Sequence, residues 1–226
     1  MFSALPGEPR LRDTRSFYLA APPESLVAPL LLDFARQRAG QRIMDFGCAV
    51  GAYALALESE GFSCVGVDVN PAYVTRAREA GLEVHEPDEE GRAPFPDRSF
   101  DTVLLFEVVE HVRDYDRVLR EAKRLARKNV LITVPNCAEL DRLIRASLVF
   151  DHMLEQDHVN FFTKKTLEEA IAGVFSRYDV EEREYRDGAI ARLLFPRALA
   201  VPAAALFRLG ALRPRLSYRL FAEARV

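Results

Sequence analysis

The stretch IMDFGCAVGAYAL, residues 43–55, is an apolar run that ends in an acid, a glycine and, four residues further on, a second glycine. Gly47 and Gly51 can adopt the positive φ angles of a tight turn, and without a Cβ they let a ligand approach the main chain. Asp45 stands at the tip of the apolar run, just before this turn. A helix starting near Gly51 would present its first amide groups to the same place. The stretch therefore predicts a strand, a ligand-binding turn and a helix in direct succession.

Strand-like and helical patterns alternate along the rest of the chain. The predicted strands are residues 42–46, 63–69, 82–86, 100–108, 129–135, 179–185 and 216–226. The predicted helices are residues 25–39, 51–61, 70–81, 114–127 and 163–175. Such alternation gives an α/β fold with a mostly parallel sheet covered by helices on both faces. Ligands of these sheets bind beyond the carboxyl ends of the strands, where the strand order reverses.

The composition is that of an ordinary globular protein, with 49% hydrophobic and 29% charged residues in a chain of 226. The net charge of -3 gives no basis for a nucleic-acid partner. Cys48, Cys64 and Cys137 show no metal-like spacing and are odd in number, so we expect no disulfide framework, no bound metal and a cytoplasmic location. The first residues lack the order of a signal peptide.

A second acid indicates what kind of ligand the turn binds. Asp68 ends the second predicted strand, where a carboxylate suits the two hydroxyl groups of a ribose. A nicotinamide dinucleotide would require Gly-x-Gly-x-x-Gly, but Ala49 stands at the second glycine and Tyr53 near the third. Asp45 before the turn also suits a cationic ligand better than a pyrophosphate. A nucleoside with a cationic substituent is therefore favoured, and a dehydrogenase is disfavoured.

Together these motifs resemble the class I S-adenosylmethionine-dependent methyltransferases, in their small-molecule branch (type 11/23-like). DFGCAVG (45–51) is similar to their Asp/Glu-x-Gly-x-Gly-x-Gly loop, with alanine at the middle glycine. APFPDRSFDTVLLFEVVEHV (93–112) resembles the stretch through their fourth strand, and DHVNFFTKKTLEEAI (157–171) resembles their His-x-x-Phe-Thr segment. The resemblance implies a Rossmann-like three-layer sandwich with a seven-stranded sheet in the order 3-2-1-4-5-7-6, its last strand antiparallel.

The resemblance also implies the cofactor, S-adenosylmethionine, which leaves as S-adenosylhomocysteine. Asp45 would hold the cofactor's amino group, Asp68 its ribose hydroxyls, and Val69 would lie against the adenine. Asp88 and Glu89 both remain candidates for the adenine amino group, with a preference for Asp88. The cofactor-binding residues implied in all are Asp45, Gly47, Cys48, Gly51, Asp68, Val69, Asp88, Glu89 and Glu107.

Methyl transfer from a sulfonium is an in-line displacement, and a base is needed only if the acceptor must lose a proton. His111 follows the fourth predicted strand and His158 lies on the segment expected to form the acceptor side, so both are candidate catalytic residues. The alternative for His111 is a structural hydrogen bond below the cofactor. Glu107, at the end of an apolar strand, would touch either cofactor or acceptor. The two histidines favour an oxygen acceptor.

The charge is unevenly distributed. Residues 186–226 carry eight arginines and two acids, a balance of +6, which leaves -9 for residues 1–185. We expect an N-terminal arm or lid at 1–23, a cofactor-binding domain at 24–187 and 216–226, and an apolar, arginine-rich insert at 188–215. Arginines and prolines interrupt this insert too often for a membrane span.

Two interpretations of the insert and three of the function remain open. The insert either covers the sheet edge or makes a homodimer contact, or it forms a basic amphipathic surface that meets anionic lipid or a lipid-linked acceptor. The favoured function is methyl transfer to a small molecule. The alternatives are methylation of a membrane-associated acceptor, and an inactive partner protein that binds S-adenosylmethionine. Ala49 and the lack of an obvious catalytic dyad keep the last alternative open.

Overall fold

The computed structural model describes residues 14–138, 157–185, 197–209, 211 and 217–226. Much of the predicted N-terminal arm lies outside the described residues. The same holds for residues 139–156, on the expected acceptor side, and for the parts of the insert at 188–196, 210 and 212–215. The fold and the cofactor end of the site can nevertheless be followed without interruption from residue 14 to residue 138.

The described strands form one seven-stranded sheet in the order β3-β2-β1-β4-β5-β7-β6. Strand β7 runs antiparallel to both of its neighbours, β5 and β6, whereas the other pairs are parallel. This confirms the expected order, the reversed last strand and the edge position of β6. The strands are β1 (Arg42–Phe46), β2 (Ser63–Val67), β3 (Val84–His85), β4 (Phe100–Phe106), β5 (Ala126–Pro135), β6 (Arg177–Tyr185) and β7 (Ser217–Arg225).

Local capping signals fix where several helices begin. The Asn70 side chain accepts a hydrogen bond from the amide of Ala72 at 3.1 Å, with Pro71 in the first helical position. Thr163 caps its helix in a capping box with Thr166. The helices are α1 (Thr14–Ala20), a 3-10 turn (Pro23–Leu26), α2 (Pro29–Arg38), α3 (Ala52–Glu58), α4 (Pro71–Glu79), α5 (Tyr115–Leu125), α6 (Lys164–Ala172) and α7 (Arg197–Arg208).

Most predicted boundaries agree with the structure to within about three residues, and two of the differences have a clear physical cause. Helix α2 begins at Pro29, not at residue 25, because the residue before a proline is driven out of the helical region and Ala28 is extended. Helix α5 ends at Leu125 and β5 begins immediately at Ala126, three residues earlier than predicted. Ala126 pairs with Phe100 ahead of a register shift, so no separate turn joins the helix to the strand.

Apolar side chains on both faces of the sheet explain why its central strands are continuously hydrophobic. In β1, Ile43 packs in the cluster that includes α2, α3 and α4, while Met44 packs in the cluster on the opposite face with α5 and α6. Leu104 and Leu105 of β4 divide in the same way. Burial on both faces is the mark of a three-layer sandwich.

The pairing of β1 places three loop segments at one edge of the sheet. Phe46 of β1 is in register with Val67 of β2, and Asp45 is in register with Leu104 of β4, all strands being parallel. The residues that follow these three strands, beginning at Gly47, Asp68 and Glu107, therefore meet at the same carboxyl edge.

Candidate active site

The turn after β1 has a shape that excludes a side chain at its first position. Gly47 has a φ of +81°, and its amide donates a hydrogen bond to the carbonyl of Val67 at 2.7 Å. A Cβ added here would lie 2.7 Å from Cγ2 of Val108, which is closer than real Cβ contacts allow. Glycine at position 47 is therefore required by both the backbone conformation and the loop that follows β4.

Ala49, two residues after Gly47, stands where the loop that the sequence resembles has its middle glycine. Ala49 has a φ of +47°, a left-handed conformation that costs a residue with a Cβ about 1–2 kcal/mol. In that conformation its amide donates to Oδ2 of Asp68 at 2.8 Å. The alanine therefore keeps the hydrogen bond that joins the β1 turn to the end of β2, although it pays a conformational cost.

Asp45 lies buried beneath this turn, with 3% of its surface exposed. Burial, followed by the nearby Asp68, raises the pKa of Asp45 to about 7. Its Oδ2 has no hydrogen-bond partner among the described residues. A buried carboxylate of this kind is relieved by a cation, so the site fits the ammonium group of S-adenosylmethionine.

Asp68 and Val69 form the next part of the site, at the end of β2. Oδ1 of Asp68 accepts from the amide of Asn70 at 2.8 Å, so both carboxylate oxygens are oriented by main-chain amides. Burial raises the pKa of Asp68, and these amides oppose the rise. Val69 is 77% exposed, which gives an apolar surface directly beside an oriented carboxylate. An adenosine, with hydroxyls on one side and a flat ring on the other, matches this pair.

A cleft of about 470 Å³ lies beyond β3 and contains one of the two acids predicted to meet adenine. Asp88 lines this cleft, and Glu89 does not. Oδ1 of Asp88 accepts from the amide of Arg92 at 2.8 Å within its own turn, which fixes the carboxylate. The cleft is lined by Glu86, Pro87, Asp88, Arg92, Ala93, Pro94, Phe95, Pro96 and Arg124.

A cluster of hydrogen bonds around Glu121 and Arg124, which was not predicted from the sequence, holds the wall of this cleft. Glu121, buried on α5, accepts from Arg124 through both carboxylate oxygens at 2.7 Å and from the amide of Ala93 at 2.9 Å. Arg124 also donates to the carbonyl of Phe95 at 2.8 Å and to Asp97 at 2.8 Å. The spacing of Glu121 and Arg124 on one helix face was the available signal, but it equally fits a solvent-exposed pair.

Cys48 lies in the turn, but its side chain points into the core. It is buried, and its Sγ lies 2.7 Å from the position that a Cβ on Gly66 would take. Burial raises the pKa of the Cys48 thiol well above its usual range, so it is not a nucleophile. Any contact of Cys48 with the cofactor would therefore involve its main chain.

Glu107 follows β4 in a strained conformation, with a φ of +54°. Its Oε1 lies 3.1 Å from Nε of Arg219 on β7, and Arg219 is also paired with Glu184 of β6. Burial lowers the pKa of Arg219, but Glu107 and Glu184 outweigh this and raise it above its usual range. Arg219 was not predicted, because only the antiparallel insertion of β7 between β5 and β6 brings it to Glu107.

The two histidines predicted to be catalytic lie together beyond the end of β4. The rings of His111 and His158 have centroids 4.5 Å apart and are inclined by 71°. Nδ1 of His111 is 3.4 Å from Oδ2 of Asp157. Glu110, adjacent in sequence to His111, is buried beside them, and the three side chains are of types that can ligate a metal ion. The structure thus brings together residues that are 46 positions or more apart in the chain.

The sheet carries a glycine turn after β1, a buried acid beneath that turn and a second acid after β2. This is the arrangement expected of an α/β domain that binds a nucleoside carrying a cationic group. The chain belongs to the methyltransferase-domain family Methyltransf_23, which matches residues 18–174. The cofactor of this class is S-adenosylmethionine, in agreement with the fit of Asp45 and Asp68.

Curated relatives match the central part of the chain. The ubiquinone biosynthesis O-methyltransferase of Hahella chejuensis is 33% identical over 110 residues, which is 45% of this chain and 46% of that protein. The norajmaline N-methyltransferase of Rauvolfia serpentina is 31% identical over 102 residues, covering 42% of this chain and 35% of that protein. The chain therefore spans less than half the length of these relatives, whose accepting atoms differ.

A solved structure supports the fold over most of the chain. The S-adenosylmethionine-dependent methyltransferase of Archaeoglobus fulgidus superposes with a TM-score of 0.64 and 18% identity, covering 87% of this chain and 93% of that one. At this identity the likeness shows the fold alone. None of the helices in the described part of the chain is long and apolar enough to cross a membrane.

Proposed function

We propose that this protein transfers the methyl group of S-adenosylmethionine to a hydroxyl oxygen of a small molecule. The observation that carries the proposal is the pairing of His111 with His158 beyond β4, at the sheet edge that also holds Asp45 and Asp68. The side chains that we assign to the cofactor and those that we assign to the acceptor thus share one edge of the sheet. The family match supports the coarser statement, a methyltransferase, and the histidines support the accepting atom.

The turn residues would hold the cofactor by complementary charge and shape. Asp45 would bind the ammonium group, and Gly47 with Gly51 would let the methionine and ribose portions approach the main chain. Asp68 would accept the ribose hydroxyls through the lone pairs that its two amide donors leave available. Each of these roles uses a group that the fold already orients.

The adenine would lie between Val69 and the cleft beyond β3. Val69 offers its exposed side chain to the ring face, and Asp88 would accept from the adenine amino group. Glu89 remains the second candidate for that contact, although it does not line the cleft. Tyr18 of α1 packs on Tyr73 in the first turn of α4, with ring centroids 6.1 Å apart, so α1 rests close to the nucleoside end.

The chemistry assigned to this chain's residues is positioning, exclusion of water and removal of one proton. The sulfonium of the cofactor supplies the methyl group, and an oxygen lone pair of the acceptor displaces the thioether in line. The acceptor proton must leave, and His111 and His158 are the groups that we assign to this step. Glu107, held by Arg219, would form part of the wall of the acceptor pocket. A neutral amine is nucleophilic before it loses a proton, so methyl transfer to such an acceptor would depend less on the histidine pair.

The test is a calorimetric titration with S-adenosylhomocysteine on the wild type and on Asp68→Ala. We expect micromolar binding that weakens tenfold or more in the variant, a loss of at least about 1.4 kcal/mol. Asp116→Ala, which removes an exposed acid on α5, is the matched control and should bind like the wild type. Absence of binding to the wild type would refute the proposed function.

Turnover distinguishes the enzyme from an inactive binding partner. The wild type and His158→Ala are incubated with methyl-labelled S-adenosylmethionine and a panel of phenols, alcohols and amines. Labelled product from a hydroxyl acceptor, with normal binding but at least a tenfold lower rate in the variant, is the expected result. Binding without transfer to any member of a broad panel would favour the partner protein.

A membrane-associated acceptor is the second candidate, favoured by the surface of α7. Leu199, Val201 and Leu206 are exposed on this helix, and Leu209 follows it at 80% exposure. Arg208 lies within the same region, whose +6 balance complements anionic lipid. Flotation with phosphatidylglycerol vesicles tests this candidate: wild type should float and Val201→Glu/Leu209→Glu should not. A wild type that stays with the soluble fraction, or that sediments as a dimer sensitive to the same substitutions, would assign α7 to self-association.

A further inference from the structure

We propose that Glu110, His111 and His158 bind one divalent transition-metal cation on the acceptor side of the cofactor. The inference deepens the proposed function, on which it rests, because the two histidines would then promote loss of the acceptor proton by holding a cation, instead of by accepting the proton themselves. Composition and cysteine spacing predicted no metal. The three ligands only come together through the fold.

The geometry of the three side chains fits a metal centre. One ligand atom from each residue lies within 4.8 Å of the others. Donor atoms at about 2.1 Å from a tetrahedral cation are roughly 3.4 Å apart, so the cluster needs to close by only about 1 Å or slightly more. Rotation of side chains suffices for a movement of that size.

The main chain holds the two contributing loops in place without help from a metal. The amides of Val159 and Asn160 donate to the carbonyl of Glu110 at 2.8 and 3.0 Å. The side-chain amide of Asn160 donates to the carbonyls of Val109 and Val112 at 2.9 and 2.8 Å. The loop after β4 and the loop before α6 are thus joined by four hydrogen bonds, and the ligands are held close before any cation arrives.

The donor set and its burial indicate which cation would bind and what it would do. Two imidazoles with one carboxylate suit first-row divalent cations such as Zn²⁺, Co²⁺ and Mn²⁺, rather than Mg²⁺ or Ca²⁺, which prefer oxygen ligands. Glu110 is 1% exposed, whereas both histidines are partly exposed, so the open coordination positions face the accessible side. Three protein ligands with open positions are the arrangement of a catalytic site.

Asp157 lies next to the cluster and is suited to a supporting role. Its Oδ2 is 3.4 Å from Nδ1 of His111, and its side chain is mostly exposed. Carboxylates placed next to a ligating histidine orient the ring and raise its basicity. Asp157 is therefore a positioning residue or an additional ligand, and the three-residue core of the site does not depend on it.

The proposed step balances without a redox change. A hydroxyl oxygen of the acceptor enters an open position of the cation, and its proton passes to water because the positive charge stabilises the alkoxide or phenolate. An oxygen lone pair then forms the bond to the methyl carbon. The bond from that carbon to sulfur breaks, and the sulfur keeps the electron pair as the thioether of S-adenosylhomocysteine. The cation retains its oxidation state throughout.

The experiment measures metal binding directly and keeps it separate from activity. Full-length protein without a histidine tag is treated with EDTA, dialysed and titrated with ZnCl₂ by calorimetry, and its Co²⁺ absorption spectrum is recorded in parallel. The variants are His158→Ala and Glu110→Gln. His85→Ala is the matched control, because His85 lies on β3 and contacts Glu83 and Phe95 instead of the cluster. S-adenosylhomocysteine binding is measured for each protein.

Saturation at one Zn²⁺ per chain, with affinity at least tenfold weaker in His158→Ala and unchanged in His85→Ala, is the expected result. The variants must still bind S-adenosylhomocysteine, and if Glu110→Gln does not fold, His158→Ala alone decides. A wild type that binds S-adenosylhomocysteine but no metal would overturn the inference and leave the proposed function standing. Metal binding that survives His158→Ala would also overturn it. Failure to bind S-adenosylhomocysteine would instead refute the proposed function.

Discussion

Replacing Asp45 with asparagine should stabilise the protein without its cofactor and weaken cofactor binding. In the folded chain, burial and Asp68 raise the pKa of Asp45 from 3.8 to about 7. At about 1.36 kcal/mol for each pH unit, this difference is worth about 4 kcal/mol once the carboxylate is ionised in both states. Asparagine has nearly the same shape and no charge. It should therefore recover part of this free energy of unfolding, with about 4 kcal/mol as the upper limit.

The sign of the pH dependence follows from proton binding. Between pH 3.8 and about 7 the folded protein keeps a proton on Asp45 that the unfolded chain has lost. The folded state binds more protons in this window, so its stability falls as the pH rises. The asparagine variant lacks this slope. The difference in free energy of unfolding between the asparagine variant and the wild type should therefore grow from acid towards neutral pH and become constant above about pH 7.

Urea unfolding of both proteins at about pH 5 and about pH 8, without ligand, measures the difference. S-adenosylhomocysteine titration at about pH 8 gives the other half of the prediction, a loss of tenfold or more in affinity. For the wild type, affinity should also fall as the pH drops below 7, because a protonated Asp45 no longer attracts an ammonium group. The variant should show no corresponding fall.

Two results would refute this reasoning. A variant that is less stable than the wild type at about pH 8 would mean that the Asp45 carboxylate is satisfied within the folded chain. A gain in stability with unchanged affinity for S-adenosylhomocysteine would mean that the charge is buried for a reason unrelated to the cofactor.

Three further substitutions test the turn and its surroundings by urea unfolding. Ala49→Gly should raise the free energy of unfolding by about 1 kcal/mol because it relieves a left-handed alanine, and a loss of stability would contradict the conformation described. Gly47→Ala should lower the free energy of unfolding by about 2–3 kcal/mol, because the φ of Gly47 is +81° and an added Cβ would meet Val108. Adding Val108→Ala to the same chain should restore part of this loss. If the effects of the two substitutions on the free energy of unfolding were additive, this would argue against the contact. Arg219→Gln should cost about 3 kcal/mol because it leaves Glu107 without its partner at 3.1 Å, and a change below about 0.5 kcal/mol would show that the pair is solvent-screened.

The elements that were predicted correctly are those whose signals are local. Strand β1 carries its own apolar run, and α4 carries Asn70, Pro71 and the end signal within a dozen residues. The boundary errors at α2 and β5 arose where a long-range pairing or a neighbouring proline overrode helical periodicity. Periodicity reports which face is buried and is less informative about where an element ends.

The site residues show the same difference between local signals and long-range contacts. Asp45, Gly47 and Asp68 were predicted because each directly follows or ends a strand that can be recognised in the sequence. Arg219 and the cluster of hydrogen bonds around Glu121 and Arg124 were missed because their roles depend on partners 28 to 112 residues away. The proximity of His111 to His158 also depends on the fold, since the loops before α6 and after β4 must first be joined by Asn160.

Two unfavourable features occur in one turn, and their coincidence is itself evidence of function. Asp45 is a buried carboxylate without a partner for Oδ2 among the described residues, and Ala49 is held in a left-handed conformation. Either cost would be removed by a single substitution if the turn served the fold alone. A cationic cofactor bound here, as we propose, would offset the first cost and would use the backbone shape maintained by the second. Binding at a hundred times the dissociation constant stabilises a protein by about 2.7 kcal/mol, which is comparable with the cost of the buried charge. Under the proposed function, the turn would be a cation site whose stability is completed by its ligand.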